Sequence, residues 1–193
     1  MLRPFLPFAM LACLLLPGWL LSGPVAAAES PPPLRITLAG TLTLPDAAPA
    51  IDGSGDLEIT GLSGVTWLGE DRFAAIMDNS DRLVLFRLTF SATGEPQAAS
   101  DLRILVLGER HDYEDLAACP PRLLERIAQK LQSRGDDAPA NCLLVCEEQT
   151  PAIRAIDLDT GALLGIVPVP PIAKTRRTNR GLESLAVDPD GSH

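Results

Sequence analysis

One pattern of residues occurs three times along the chain, and its spacing constrains the fold more than any other feature. The copies read "GLSGVTWLGEDRFAAIMDN" from Gly61, "DYEDLAACPP" from Asp112 and "GLESLAVDPDG" from Gly181. Equivalent positions hold Ser63, Glu114 and Glu183, which are 51 and 69 residues apart. Because the second interval contains an insertion, the underlying period is about 45–50 residues, the size of a β-propeller blade.

The runs between these positions predict short antiparallel strands. "RFAAIM", "RLVLFRL", "CLLVCEE", "AIRAIDL" and "ALLGIVPV" are separated by Asp- and Gly-containing turns, and "RITLAGTLTL" at 35–44 is predicted as a further strand. The insertion differs, because "PRLLERIAQKLQSRG" places its apolar residues on one helical face, which predicts a helix near 121–135. The fold class is therefore all-β, with propeller blades and one helical insertion.

The number of copies predicts an incomplete ring. About three blades are visible, and the third stops after its innermost strand, at the turn "DPDG". Propellers have roughly four to eight blades of four strands each. The chain is expected to be the front part of a longer propeller, truncated at its C-terminal end.

The first 28 residues have the layout of a secretory signal. Arg3 precedes an apolar run, and the small residues "AAA" precede Glu29. Pro7 and Pro17 interrupt the run, which argues against a permanent membrane span. We expect residues 1–28 to be removed, and residues 29–193 to form the propeller domain of a secreted or periplasmic protein.

The charge of the chain argues against nucleic acid as a partner. The net charge is −9, and it becomes −10 once Arg3 leaves with the signal. Nucleic-acid binding needs clustered Lys and Arg, whereas an acidic chain is compatible with cation binding or with simple solubility.

The cysteines predict one disulfide, since an exported protein meets an oxidising environment. Cys142 and Cys146 lie on one predicted strand, about 13 Å apart, so they cannot bond to each other. Cys119 must be one partner. Cys142, nearer the end of the intervening loop, is the predicted second partner, although Cys146 remains an alternative.

The three copies, in order, resemble the phytase-like propeller family, described as having an esterase-like activity of phytase. The resemblance spans roughly residues 58–191 and includes "DRF", "CLLVCEEQTPAIRAIDL", "NRGLESLA" and the "PDG" turn. Asp115 departs from it, because the family usually has a small residue after the glutamate. The resemblance implies calcium dependence and hydrolysis of phosphate esters.

Acidic residues at equivalent strand positions predict a metal site at one rim of the ring. Six carboxylates are the candidate ligands: Asp78, Asp112, Glu114, Glu147, Glu148 and Glu183. Carboxylates that converge repel one another unless they bind a proton or a cation, and Ca²⁺ accepts 6–8 oxygen ligands in irregular geometry. Solvated strand ends, or carboxylates that accept backbone N–H bonds between blades, are the structural alternatives.

The predicted function is an exported, calcium-dependent phosphoesterase that uses activated water. Glu114 and Glu183 are the candidate catalytic residues, and Lys174, Arg177 and Arg180 are candidate contacts to a small anionic phosphate ester. A serine-hydrolase site is disfavoured, because Ser63 lacks the flanking glycines of a nucleophile elbow. The alternative function is a non-catalytic propeller that binds a ligand or a protein partner.

Overall fold

The structure is a computed structural model, and it describes residues 34–135, 137–169 and 181–188. The chain divides into a short N-terminal unit, Met1–Thr37, and a body, Leu38–His193. The predicted signal segment 1–28 and the basic residues Lys174, Arg177 and Arg180 lie outside the described residues. In the part that is described, no helix has the length and apolarity needed to cross a membrane.

The first copy of the repeat forms one four-stranded antiparallel sheet. Following a small hairpin of β1 (Ala47–Pro49) and β2 (Asp56–Glu58), its strands are β3 (Leu62–Gly69), β4 (Arg72–Met77), β5 (Ser80–Phe90) and β6 (Pro96–His111), paired in that order. Asn79 has a φ of 48° at the turn between β4 and β5. Asn tolerates this left-handed conformation, which lets a tight turn reverse the chain.

The second copy forms an equivalent sheet. Its strands are β7 (Tyr113–Ala118), β8 (Cys142–Glu147), β9 (Ala152–Asp157) and β10 (Leu163–Val167), and neighbours in the chain are again paired antiparallel. Two successive four-stranded meanders at the predicted positions confirm the all-β fold and the propeller-blade repeat. In the described residues the ring is incomplete, as expected.

The helical insertion between β7 and β8 is also confirmed. Helix α1 (Pro121–Gln132) starts with proline at its first position, where the missing N–H costs no hydrogen bond. Its residues Leu123, Leu124 and Ile127 pack against Cys142 and other residues on one face of the second sheet. The predicted apolar face of the helix is therefore the buried one.

A shared apolar core joins the two sheets. Strands β3 and β7, the first of each sheet, lie next to each other. The core between the sheets includes Ile76, Leu83, Tyr113 and Leu143, of which Tyr113 is 1% exposed and Leu143 is fully buried. This packing fixes the relative position of the two innermost strands.

The opposite face of the first sheet is apolar and only partly covered: Met77, Val84 and Ile104 are buried there with Ala48 of β1, whereas the part along β3 is open. Val65 and Trp67 of β3 are 62% and 60% exposed. An apolar cavity of about 410 Å³ lies on this face and is lined in part by Leu42, Leu44 and Leu62. A propeller blade packs on a neighbour through each face, and in the described residues only one face of this sheet has such a neighbour.

Two strand predictions are wrong. Residues 34–45, which include all of "RITLAGTLTL", form no strand. Residues 182–188 are also without a strand assignment, although Leu185 and Val187 pack against the second sheet. The amide of Leu185 donates to the side chain of Asp115 at 2.9 Å and not to a neighbouring strand, so no ladder forms there.

The shared core gives a direct stability prediction. Replacement of the fully buried Leu143 by Ala should lower the free energy of unfolding by about 2–5 kcal/mol, because it leaves a cavity between the sheets. Val65→Ala, on the exposed face, should change it by no more than about 0.5 kcal/mol. Urea denaturation of both variants measures the difference, and equal effects would contradict the assignment of the core.

Candidate functional site

The candidate site is assembled from the ends of strands in both sheets. Asp78 follows β4, and its backbone N–H donates to the carbonyl of Gly61 at 2.7 Å. Asp112 precedes β7, and its carbonyl accepts a hydrogen bond from the amide of Glu148, just after β8, at 2.9 Å. These backbone bonds hold three acidic residues near the first residues of the innermost strands.

Three carboxylates converge at this point. One oxygen from each of Asp78, Asp112 and Glu114 lies within 4.8 Å of the others. Asp78 is exposed, Asp112 is 9% exposed, and Glu114 is half-buried. All three offer the hard oxygen ligands that Ca²⁺ prefers, and the separation is compatible with a shared ion.

Glu148 and Glu183 lie near enough to Glu114 for their charges to contribute to its raised pKa, after burial and the charges of Asp78 and Asp112. We refer to the five residues as the acidic cluster: Asp78, Asp112, Glu114, Glu148 and Glu183. Glu148 is buried, and its Oε1 accepts a hydrogen bond from the amide of Gly181 at 3.2 Å. Glu183, in contrast, is exposed to solvent. Three of the six predicted metal ligands thus converge, and Glu148 and Glu183 lie in their neighbourhood.

The electrostatics of the acidic cluster disfavour full ionisation. Burial, followed by the negative charges of Asp78 and Asp112, raises the pKa of Glu114 to about 7. Burial likewise raises the pKa of Asp112, and the neighbouring Asp78 carboxylate raises it further. A cation bound among these carboxylates would relieve the repulsion between their charges.

Glu147 is engaged elsewhere. Its Oε2 accepts hydrogen bonds from Arg154 Nε at 3.0 Å and Nη2 at 2.8 Å, while Oε1 lies 3.1 Å from Nδ1 of His111. Since successive residues of a strand point to opposite faces, the adjacent Glu147 and Glu148 are directed to different surroundings. Glu147 therefore balances the charge of the largely buried Arg154 guanidinium group, and its role as a metal ligand stays a prediction.

Close backbone approach at two glycines positions the acidic cluster. A Cβ atom at Gly64 of β3 would collide with Asp115, and one at Gly181 would collide with Glu148. Asp115 uses both carboxylate oxygens: Oδ1 accepts from the amide of Leu116 at 2.8 Å, and Oδ2 accepts from the amide of Leu185. This residue therefore ties the segment that carries Glu183 to the second sheet.

Sequence reasoning missed two cationic residues near the acidic cluster. Arg82 and Arg110 line a polar cavity of about 260 Å³ together with Asp78. Arg82 directly follows the turn "DNSD", so its position near Asp78 could have been predicted from the hairpin. Arg110 lies near the end of the long strand β6, which the sequence did not predict. Together with Asp115, these are the residues that the sequence analysis gave no role in the site.

In the described residues, which do not include His193, the serine-hydrolase arrangement has no geometric support. Ser63 lines the apolar cavity on the open face of the first sheet, with Leu42 and Leu62 as neighbours. His111 is occupied by Glu147 and by Glu109, whose Oε2 lies 3.2 Å from its Nε2. Ser63 is therefore a strand residue on an apolar face.

The elevated pKa of Glu114 gives a prediction about pH. Its folded-state pKa of about 7 lies above the ordinary value of 4.5, so the folded protein holds an extra proton between these values. Without divalent cations, the free energy of unfolding should fall as pH rises from about 4.5 to 7 and then level off. Denaturation across this range should show a weaker fall for Glu114→Gln; identical pH profiles would contradict the shift.

The pairing of Glu147 with Arg154 predicts that removal of one partner strongly lowers the free energy of unfolding. Arg154→Met leaves the carboxylate of Glu147, which is 3% exposed, without its guanidinium partner and with only His111 beside it, and should cost about 3–5 kcal/mol of unfolding free energy. The double variant Glu147→Gln/Arg154→Met should recover much of this loss. Arg122→Met, at an exposed position of α1, is the matched control. A loss in the double variant as large as in the single one would contradict the pairing.

Comparison with known proteins agrees with the repeat and with the resemblance. The family model described as "Phytase-like: Esterase-like activity of phytase" matches residues 57–193, which is most of the chain and includes every member of the acidic cluster. No significant match is found among curated proteins or among solved structures. With two propeller-type sheets and a match over this range, the chain belongs to the phytase-like family.

Proposed function

We propose that this protein is an exported, calcium-dependent phosphoesterase whose site is the acidic cluster. Membership of the phytase-like family supports a hydrolase of this type. The observation that carries the proposal further is the convergence of Asp78, Asp112 and Glu114, whose oxygens lie within 4.8 Å of one another and come from two adjacent blades. The signal-like layout of residues 1–28 supports export.

The donor set fits calcium. The three carboxylates are hard ligands, and burial, followed by the charges of neighbouring carboxylates, raises the pKa values of Asp112 and Glu114. Asp78, Asp112 and Glu114 would hold the ion directly. When bound, the ion would supply positive charge that polarises the phosphate ester and activates water for attack on phosphorus.

Other residues of the chain are assigned the roles of general base, electrostatic support and substrate contact. Glu183 is exposed next to Glu114, and we assign it to accept the proton of the attacking water. Glu148 is held by the Gly181 amide and contributes negative charge that strengthens cation binding. Arg82 and Arg110, in the polar cavity beside Asp78, provide cationic contacts to an anionic substrate. Lys174, Arg177 and Arg180 remain predicted substrate contacts.

Two variants separate metal binding from turnover. Glu114→Gln removes a ligand and should weaken calcium binding by about tenfold or more. Glu183→Gln should leave calcium affinity within about threefold but lower the rate of phosphate release by about 10²–10⁴, because it removes the base. Calorimetric titration with Ca²⁺ and assay of phosphate release from p-nitrophenyl phosphate measure the two effects.

Glu125→Gln is the matched control, since it makes the same chemical change at an exposed position of α1. It should behave as the unmodified protein in both assays. Phosphate release that survives chelation by EGTA would rule out the calcium mechanism. Calcium binding without turnover of any phosphate ester would favour the non-catalytic alternative, in which the propeller binds a ligand or a partner.

A further inference from the structure

A pair of thiols lies at the base of the helical insertion, away from the acidic cluster. Cys119 follows β7 and Cys142 begins β8, and the register of these strands, with Ala118 opposite Leu143, places the two cysteines opposite each other. The Cys119 amide donates to the Cys142 carbonyl at 3.0 Å. Facing residues bonded in this way have Cα atoms about 5.5 Å apart, which is within the range that a disulfide spans.

The two thiols also influence each other: Cys142 lowers the pKa of the Cys119 thiol, and Cys119 raises that of Cys142. In the structure the Cys142 thiol donates to the carbonyl of Leu143 at 3.5 Å. Both cysteines are free thiols in the structure, as is Cys146. The thiol of Cys146 instead approaches the carbonyl of Leu182, at 3.6 Å, and burial raises its pKa to about 11. Geometry therefore singles out Cys119 and Cys142.

We propose that Cys119 and Cys142 are an oxidisable pair whose disulfide closes the helical insertion against the second blade. The closed loop would contain 24 residues, including all of α1. The role in the cell rests on the export included in the proposed function, because disulfides persist in oxidising compartments. The thiol chemistry itself depends on neither calcium nor catalysis.

The effect of the disulfide on the rest of the protein depends on the residues that α1 contacts. Leu123, Leu124 and Ile127 of α1 pack against the same buried cluster as Leu185 and Val187. These last two residues belong to the segment that carries Glu183. A covalent link at the base of the insertion would therefore stabilise the apolar support of this segment.

The oxidation can be written with a glutathione disulfide as oxidant. Cys119 is the attacking group, because it is more exposed than Cys142 and because Cys142 lowers its pKa. Its thiolate displaces one glutathione and forms a mixed disulfide. Cys142 then loses its proton and attacks the Cys119 sulfur, which releases the second glutathione. Two protein thiols are oxidised, and one glutathione disulfide is reduced to two thiols.

Peptide mapping tests the link directly. The full chain is incubated with oxidised glutathione at pH 8, free thiols are alkylated, and the protein is digested with trypsin without reduction. Cys119 lies in the tryptic peptide 111–122, and Cys142 and Cys146 both lie in 135–154. We expect these peptides to be joined in the unmodified protein and in Cys146→Ser, but not in Cys142→Ser. A link that survives in Cys142→Ser, or no link at all, would overturn the proposal.

Thermal unfolding provides the second measurement. Oxidation should raise the midpoint temperature by about 5–10 °C, since a loop of this length is constrained in the unfolded state. Addition of a reductant should reverse the rise, and Cys146→Ser should still show it. An oxidised protein with the mapped link but an unchanged midpoint would overturn the stabilising role. Neither measurement includes calcium or substrate, so failure here is distinguishable from failure of the proposed phosphoesterase.

Discussion

A four-stranded sheet has two faces, and the rest of this structure depends on how those faces are covered. The first and second blades cover each other through the core that contains Tyr113 and Leu143. The helix and the segment with Leu185 and Val187 pack on the far side of the second blade. Because burial of apolar area is the main favourable term in folding, this packing determines where the innermost strands β3 and β7 lie.

The acidic cluster is a product of that packing. Each member lies at or just beyond a strand end, or in the segment held by Asp115 and Glu148, so its position is set by backbone bonds and not by its own charge. Burial, and after it the charges of the neighbouring carboxylates, raises the pKa of Glu114 to about 7, so ionisation of the cluster opposes its assembly. The core therefore maintains a group of carboxylates that would otherwise separate, and a bound cation would relieve their repulsion.

Much of the architecture could be predicted from the sequence. The repeated positions of Glu114 and Glu183 indicated the blade spacing, and turn residues marked most strands. Strand β6 was missed, because its first half, "PQAASD", is polar and lacks the alternation of a half-buried strand. The strand expected at 35–44 failed for the opposite reason: its alternation is clear, but no ladder forms along it in the described residues.

The site was harder to predict than the fold, because it depends on register. Glu147 and Glu148 are chemically equivalent in the sequence, and only the pairing of β8 with β9 shows that Arg154 reaches the first of them. In the sequence, Asp115 stood out only because it departs from the family pattern. Its hydrogen bond with the Leu185 amide could not be predicted, because the two residues are far apart in the chain and meet only in the folded structure. Local patterns identify strands and turns, but they do not state which side chains meet across blades.

The central claim is that Asp78, Asp112 and Glu114 form a calcium site. The most direct measurement is a crystal structure of the protein grown in saturating Ca²⁺, with anomalous scattering to identify the ion. The account predicts an ion with oxygens of all three residues at about 2.3–2.6 Å. Clear density for the three carboxylates with no ion between them, or calcium bound only at another place, would contradict it.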